Sequence, residues 1–493
     1  MAAGLRLFRL DHQSLWIDEI FSWYSAEIGQ HWTTGHLLED VHGPLYSLLL
    51  HLWGGIAGDS EWALRLPSAL LGVALVAAVA WLSGRWLGRE TTVPAAWLAA
   101  GSPFLVWYAQ EVRNYTLLML CVCVSSALLL GLRERMTARG VIGYLAAAGA
   151  GLLSNLSFAF MAPVHLRWWL ARPGARWRRI AVAAVAAIAL LVLASPWVPQ
   201  IGRIWDWRRL QPHRVAATTE TRLRGSTTFH AAALPFAAYS FAVGYTLGPP
   251  VRELRASAST GTLRPHAAVI AAAALVFGIL GWLGVRALAR RGRLTDLLLW
   301  LVLPAAIVSY FALQNFKVFH PRYLAVAMPA FLALLAAAFA DLRGPARAAL
   351  AVAVAALWAL SLQHHYFDPR YGKEDMRGAA ALIGARAVPG ERIVAANCED
   401  PLFYYYRGSV PVVTYWLGWA ADRERLASRF EAIAGPLPSF WVVESRGEDL
   451  DPAGAFARYL DARYPGAERS RFEGVTVWHI RRPQAKEGLP ARP

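Results

Sequence analysis

Cysteine is nearly absent from these 493 residues, with three in all. Cys121 and Cys123 lie inside an apolar stretch and Cys398 stands alone towards the C-terminus, so no CxxC or Cys/His cluster offers a disulfide framework or a zinc site. Charge is scarce as well: Asp, Glu, Lys and Arg make up 17% of the chain, against about a quarter in a soluble protein of this size. A cleavable signal pattern is missing, because the basic first ten residues run into DHQSLW rather than an apolar core. No internal repeat is evident, which disfavours transporters built from repeated halves.

What replaces charge is hydrocarbon. The chain is 56% hydrophobic with 22 Trp and a mean hydropathy of +0.35. Windows such as 180–201, 267–285 and 294–313 lack interior charge, and each approaches the ~20 helical residues that cross about 30 Å of bilayer. A polytopic α-helical membrane protein is expected. The net charge of +16 is placed accordingly. Arg85, Arg89, Arg133, Arg135, Arg139, Arg172, Arg176, Arg178, Arg179, Arg286, Arg290, Arg291, Arg293, Arg343 and Arg347 fall in five short connections, while the alternate ones hold only Arg113, Lys317 and Arg322. Such a bias marks the Arg-rich loops as cytoplasmic. Basicity is thus topology, and nucleic acid is not expected as a partner.

With that orientation residues 1–66 form a first outer segment. The 15 residues 44–58 reach only about 22 Å as a helix, which suits an interfacial or re-entrant piece. About ten spans are expected, at 67–86, 93–108, 115–132, 141–155, 156–171, 180–200, 265–286, 294–313, 323–341 and 346–362, with a long outer loop at 201–264. Trp205 and Trp207 in that loop read as interfacial. From about Gln363 charge rises and short β-like runs appear in ERIVAAN, PVVTYW, FWVVES and VTVWHI. Residues 363–493 are therefore expected to form a soluble α/β domain on the outer side, and residues 1–362 the membrane domain.

The polar motifs gather on that outer side. Asp18 and Glu19 sit in SLWIDEIFSWYSA, His42 and Tyr46 in HGPLY, and Arg65 in ALRLPSALLG. Glu111, Arg113, Asn114 and Tyr115 occupy a tight turn in WYAQEVRNYTLL, and Lys317, His320, Arg322 and Tyr323 lie in NFKVFHPRYLAVAMP. Acidic groups beside a membrane are costly unless they meet water or do work. Displacing a phosphate from a lipid-linked sugar needs a base for the incoming hydroxyl, and a carboxylate is ionised at neutral pH. It also needs fixed cations for the departing phosphate, a task suited to the planar guanidinium fork. Asp18 is the expected base, and Arg65, Arg113 and Arg322 are the phosphate candidates. Trp16, Trp23, Tyr24 and Tyr46 are available to stack on sugar or isoprenoid.

Each feature also has a structural reading. Asp18 and Glu19 suit the first turn of an interfacial helix, and Arg65 before Pro67 suits a snorkelling helix end. The aromatics suit an interfacial belt. His42 suits a polar helix start, Glu111 and Arg113 suit a mutual pair, and His320 with Arg322 suits an interface anchor. Glu19, Glu111, His42 and His320 also leave a divalent cation open, without a recognisable ligand spacing.

Taken together, SLWIDE, HGPLYSLLLHLWG, GDSEWALRLPSALLG, SPFLVWYAQEVRNYTLL, FAVGYTLGPPVREL, HPRYLAVAMPAFLALLAA and KEDMRGAAALI resemble the polyprenyl-phosphate-dependent GT-C glycosyltransferases. These belong to the protein-mannosyltransferase and aminoarabinose-transferase superfamily, family 39 or RgtA/B/C/D-like in bacteria. The likeness runs from residue 11 to about 380. It implies a GT-C-like fold, Asp18 as the essential acid, and Glu19 and Arg65 in support of donor binding. It further implies inverting transfer from a polyprenyl-phosphate-sugar donor to an envelope glycan, lipid or protein, on the periplasmic face of the inner membrane and without a nucleotide-sugar in the site. The family usually places a transmembrane helix just before the DE segment, where this chain has only LRLFRL, so either the start is displaced or truncated or the N-terminus lies outside. HGPLY also carries Gly43 where Pro is common. Two readings compete with this one: a lipid or sugar transporter or flippase, which would carry ionisable groups at mid-membrane depth, and a non-catalytic scaffold working through its C-terminal domain.

Overall fold

The computed structural model describes residues 1–28, 43–172, 175–197, 232–256, 260–314, 319–415, 426–435, 437–447, 451 and 454–482. His42, Lys317, Trp205, Trp207 and most of the loop at 201–264 lie outside the described residues. Among the described residues seven helices are long and apolar enough to cross a membrane: Glu61–Leu87, Tyr115–Glu134, Arg176–Ala194, Gly261–Arg290, Leu294–Leu313, Pro321–Asp341 and Gly344–Phe367. The first begins outward of residue 67, which places Arg65 inside a helix rather than in the outer segment. The last runs past residue 362.

The three other expected crossings are broken or short, each for a local reason. The stretch expected as a span at 93–108 is two helices, Thr92–Gly101 and Pro103–Ala109. Pro103 has no N–H to continue the ladder, and the Ser102 side chain caps the second helix at Leu105 N. The stretch 156–171 opens as a 3₁₀ turn, Leu156–Met161, set off by the Asn155 cap, and continues as helix Ala162–Leu170. Helix Ala138–Ser154 fills 141–155 with 17 residues.

Backbone groups freed by these breaks find side chains. Pro67 cannot bond the carbonyl of Ala63, four residues back, and the Trp53 indole N–H donates to that carbonyl at 2.8 Å. The end of helix Thr92–Gly101 leaves orphan carbonyls. The fully buried Arg6, from the short helix Ala2–Leu7, donates to Ala99 O at 2.9 Å and to Ala100 O at 3.0 Å. A cation at a helix C-terminus also complements its dipole. Arg6→Ala should therefore lower stability by about 1–3 kcal/mol through buried, unsatisfied carbonyls, read as earlier thermal unfolding in detergent; a melting curve equal to wild type would show the cap to be idle.

The bundle has two distinct ends. At one, the Arg-rich connections meet one another: Arg291 pairs with Asp341 at 2.7 Å and Glu90 at 3.2 Å, and Arg167 with the buried Asp296 at 2.7 Å. The outer motifs lie at the other end, described below. Peripheral helices expose Val185, Leu191, Leu275 and Val352, an apolar surface suited to hydrocarbon rather than water. The protein is a multi-pass membrane protein.

A five-stranded sheet follows the last long helix, in the order β2-β1-β3-β5-β4, with β1 Ile393–Ala396, β2 Val412–Tyr415, β3 Ser439–Ser445, β4 Glu468–Phe472 and β5 Val475–Arg481. β1 runs parallel to β2 and β3, with Ile393 opposite Val412 and Trp441, while β5 is antiparallel to β3 and β4. Alternation sends Ile393 and Ala395 to one face, against Met376–Arg386 and Glu399–Tyr405, and Val394 and Ala396 to the other, against Leu426–Ala434 and Ala455–Arg463. Four strands match the expected runs. β4, ERSRF, was not expected; its charges suit an edge strand that must resist further pairing.

This domain seats on the segment that precedes Asp18. Leu15 N donates to the Tyr405 hydroxyl at 2.6 Å, and that hydroxyl donates to Glu61. Arg377 pairs with Glu61 and donates to Asp11 O at 2.8 Å. Tyr404 packs edge-on against Trp23 at 5.2 Å.

Candidate active site

Asp18 and Glu19 sit in the first turn of helix Ile17–Ala26, where the dipole favours acids. Neighbours in a helix point about 100° apart, since 3.6 residues make a turn, and the pair separates sharply. Glu19 faces inward and is fully buried. Its Oε1 accepts from Arg65 Nε and Val112 N, both at 2.9 Å, and its Oε2 from Arg65 Nη2 at 2.9 Å and Lys373 Nζ at 3.0 Å. Burial would raise its pKa, but the Arg65 and Lys373 charges, with the hydrogen bonds, outweigh it and hold the carboxyl well below the usual carboxylate range.

Arg65 differs from expectation. Beyond its two bonds to Glu19 it donates to Leu10 O at 3.0 Å, Gln13 O at 2.8 Å and Ser14 O at 3.1 Å. All five N–H donors are occupied inside the protein, so Arg65 is not available to a phosphate. It fixes the chain leading into Asp18 instead. Glu19, expected to support donor binding, likewise has no surface on which to meet a substrate. Both corrections have the same cause, a bidentate ion pair sealed by tertiary packing.

Asp18 points the other way, with its side chain 19% exposed and ion-paired to Arg322. Its backbone carbonyl accepts from Arg113 Nη1 at 2.9 Å, and the same nitrogen reaches Ser22 Oγ at 3.1 Å. Arg322 stands at the start of the 3₁₀ turn Pro321–Ala327, where His320 Nδ1 accepts its backbone N–H at 3.2 Å. Its guanidinium lies 5.6 Å from the Trp16 ring and 5.3 Å from that of Tyr323, and Nη2 donates to the Tyr323 hydroxyl at 3.3 Å. Its Nε is buried without a partner among the described residues. His320 packs against Tyr245 at 5.9 Å, and Tyr115 against Tyr108 at 5.1 Å beneath the Arg113 guanidinium.

Tyr46 is a further correction. It is buried, and its hydroxyl bonds Ser68 Oγ at 2.6 Å, which donates to Arg113 O. It braces the Arg113 turn rather than offering a platform to sugar. Glu111 is buried too and does not pair with Arg113. It accepts from the Trp107 indole at 2.8 Å and faces Lys373 Nζ at 3.3 Å. Burial raises its pKa, with Lys373 opposing and the Glu19 charge adding.

Lys373 carried no role in the sequence reading, although KEDMRGAAALI begins with it. Its position, the first Lys after the last long apolar stretch, is the one available signal. As for metal, no three His, Cys, Asp or Glu side chains come together among the described residues; Glu19 and Glu111 are bridged by an ammonium, and His42 lies outside the description.

Fold and site together define a class: a multi-pass helical membrane protein that holds a carboxylate–guanidinium centre at one end of its bundle, with a small C-terminal sheet domain. The family model for dolichyl-phosphate-mannose-protein mannosyltransferase matches residues 41–199. No curated protein matches in sequence. Among solved structures, ArnT from Cupriavidus metallidurans bound to undecaprenyl phosphate is similar with a TM-score of 0.58 at 16% identity, over 97% of this chain and 96% of that one. The apo state of the same protein gives 0.54 at 15% identity over the same shares. The chain thus resembles the GT-C glycosyltransferases in sequence over residues 41–199 and in fold over nearly its whole length.

Proposed function

We propose that the protein is an integral-membrane glycosyltransferase that moves a sugar from a polyprenyl-phosphate donor to an envelope acceptor, a lipid-linked glycan, lipopolysaccharide or protein. In this reading residues 1–362 form the transferase body, and residues 363–493 a domain on the same periplasmic side of the inner membrane. The observation that carries it is the partly exposed Asp18 carboxylate facing Arg322, with Arg113 held beside it. The acceptor oxygen attacks the anomeric carbon and its proton passes to Asp18. The bond from that carbon to the phosphate oxygen breaks, and the polyprenyl phosphate leaves with the electron pair, inverting the sugar. Arg322 and Arg113 neutralise the developing phosphate charge, while Trp16 and Tyr323 flank the guanidinium. The gathering of the Arg-rich connections at the far end supports placing the site outside the cytoplasm.

The Asp18–Arg322 pair adds an order of events. A guanidinium prefers a doubly contacted phosphate, so an arriving donor draws Arg322 away and frees the base only when a substrate is present. The reading is tested by incubating membranes with labelled polyprenyl-phosphate sugars and following the label. Transfer to an envelope acceptor is expected from wild type, with a loss of about 10²–10³-fold in Arg322→Ala. Label that never leaves any polyprenyl phosphate, together with substrate-coupled ion flux in proteoliposomes, would favour a transporter instead.

A further inference from the structure

Lys373 reaches the site from the C-terminal side of the membrane helices. It follows the 3₁₀ turn Pro369–Tyr371, and its Nζ lies 3.0 Å from Glu19 Oε2 and 3.3 Å from Glu111 Oε1, between the faces of Trp16 and Trp107 at 5.8 Å each. Its side chain is 8% exposed. Such burial costs an ammonium heavily unless it is paired, and two carboxylates supply the pairing. The backbone on either side is clamped. Gly372 O accepts from Arg252 Nη2 at 2.7 Å, Lys373 N donates to Gln13 Oε1 at 3.3 Å, and Asp375 N donates to Glu473 O at 2.7 Å. Glu473 and Gly474 form the turn between β4 and β5, and Glu473 pairs with Arg252. Gly474 has φ +66°, and a Cβ there would stand 2.9 Å from Arg252 Cζ. The sheet domain therefore fixes Arg252, Arg252 fixes Gly372, and the adjacent lysine is aimed into the site.

We propose that Lys373 is a positioning residue through which the C-terminal domain acts on the reaction: the β4–β5 turn holds its ammonium between Glu19 and Glu111, and this keeps the wall behind Asp18 in its working charge state. The inference rests on the glycosyl-transfer reading above for its activity readout, but not for its charge readout. The charged and titratable groups around the Lys373 ammonium are His12 and Glu19 from the first outer segment, Arg65 from helix Glu61–Leu87, Glu111 from its turn, Arg322 from its 3₁₀ turn and His365 from the end of helix Gly344–Phe367. Without the ammonium, two buried carboxylates face each other across the gap and one must take up a proton. The proton goes to Glu111, which lacks the Arg65 pairing of Glu19, and Glu19 Oε2 is left with one contact fewer, so the carboxylate that fixes Arg65, and through it the backbone entering Asp18, is held less firmly.

The test compares wild type with Lys373→Met, Lys373→Arg and Gly474→Val, the last far from any reacting atom. Transfer is followed against pH, and the apolar reagent dicyclohexylcarbodiimide, which modifies protonated carboxyls, is mapped on Glu111 by mass spectrometry. Lys373→Met is expected to lower kcat at neutral pH and to move both the acid limb of the profile and the labelling of Glu111 up by about 1–3 pH units. Gly474→Val should shift both in the same direction by less, and Lys373→Arg should restore the profile. Unmoved profile and labelling in Lys373→Met and Gly474→Val, in protein that folds and transfers sugar, would overturn the proposal. If the labelling shifts while no variant, wild type included, transfers sugar, the charge assignment stands and the glycosyl-transfer reading falls.

Discussion

Asp18→Asn should remove about 10²–10⁴-fold of the transfer rate, the range for loss of a positioned general base, in a protein that still inserts and melts like wild type. Asparagine keeps the shape but cannot take the acceptor's proton. The substitution does not strand a charge in the core, because Arg322 keeps the Tyr323 hydroxyl and the Trp16 and Tyr323 rings beside it. It also frees the guanidinium from its carboxylate. The kinetic signature follows: kcat collapses while the donor KM stays the same or falls, since Arg322 is now open to the phosphate. Steady-state kinetics with a labelled donor, alongside a melting curve, would decide the matter. Near-normal kcat in Asp18→Asn would remove Asp18 as the base, and a risen KM with intact kcat would make it a binding group.

The second large effect falls on stability rather than on rate. Glu19→Leu leaves Arg65 and Lys373 buried without their shared carboxylate, and Arg65→Leu leaves the Glu19 charge to Lys373 alone. Breaking one side of such a pair costs about 3–5 kcal/mol, so each single variant should unfold much earlier in detergent or fail to accumulate. The double variant should lose less than the sum of the two, because the charges vanish together. An additive double variant would mean that the two groups do not interact. The pH dependence has a definite sign. The folded pKa of Glu19 lies below its unfolded value, so the pair stabilises fully above the ordinary carboxylate pKa, about 4.3, and the contribution is lost as pH falls through the depressed folded value.

These two predictions separate residues that stand next to each other in the chain, which is where sequence reading was weakest. The long apolar helices were legible from their length. The strands in ERIVAAN and FWVVES were legible because parallel central strands are buried on both faces and read as continuous apolar runs. β4 was not, since an edge strand bearing alternating charge carries no apolar pattern. Nor were the break at Ser102 and the 3₁₀ opening Leu156–Met161, where one capping residue and a proline outweigh the hydropathy of the whole window. Tyr46 read as a platform from its motif, yet packing turned its hydroxyl to Ser68.

What the sequence by itself determined is the membrane architecture, its two-sided charge distribution and the set of groups gathered at one end. Hydropathy and the arginine bias act through solvent and need no partner in the fold. Which acid of the Asp18–Glu19 pair is exposed and which is sealed, that Arg65 is closed to phosphate, and that Lys373 joins the site from beyond the last helix were decided only by tertiary structure. Each depends on how far a charge is desolvated and what stands within 3 Å or so of it, and those distances bring together residues 46, 93 and 354 positions apart in the chain.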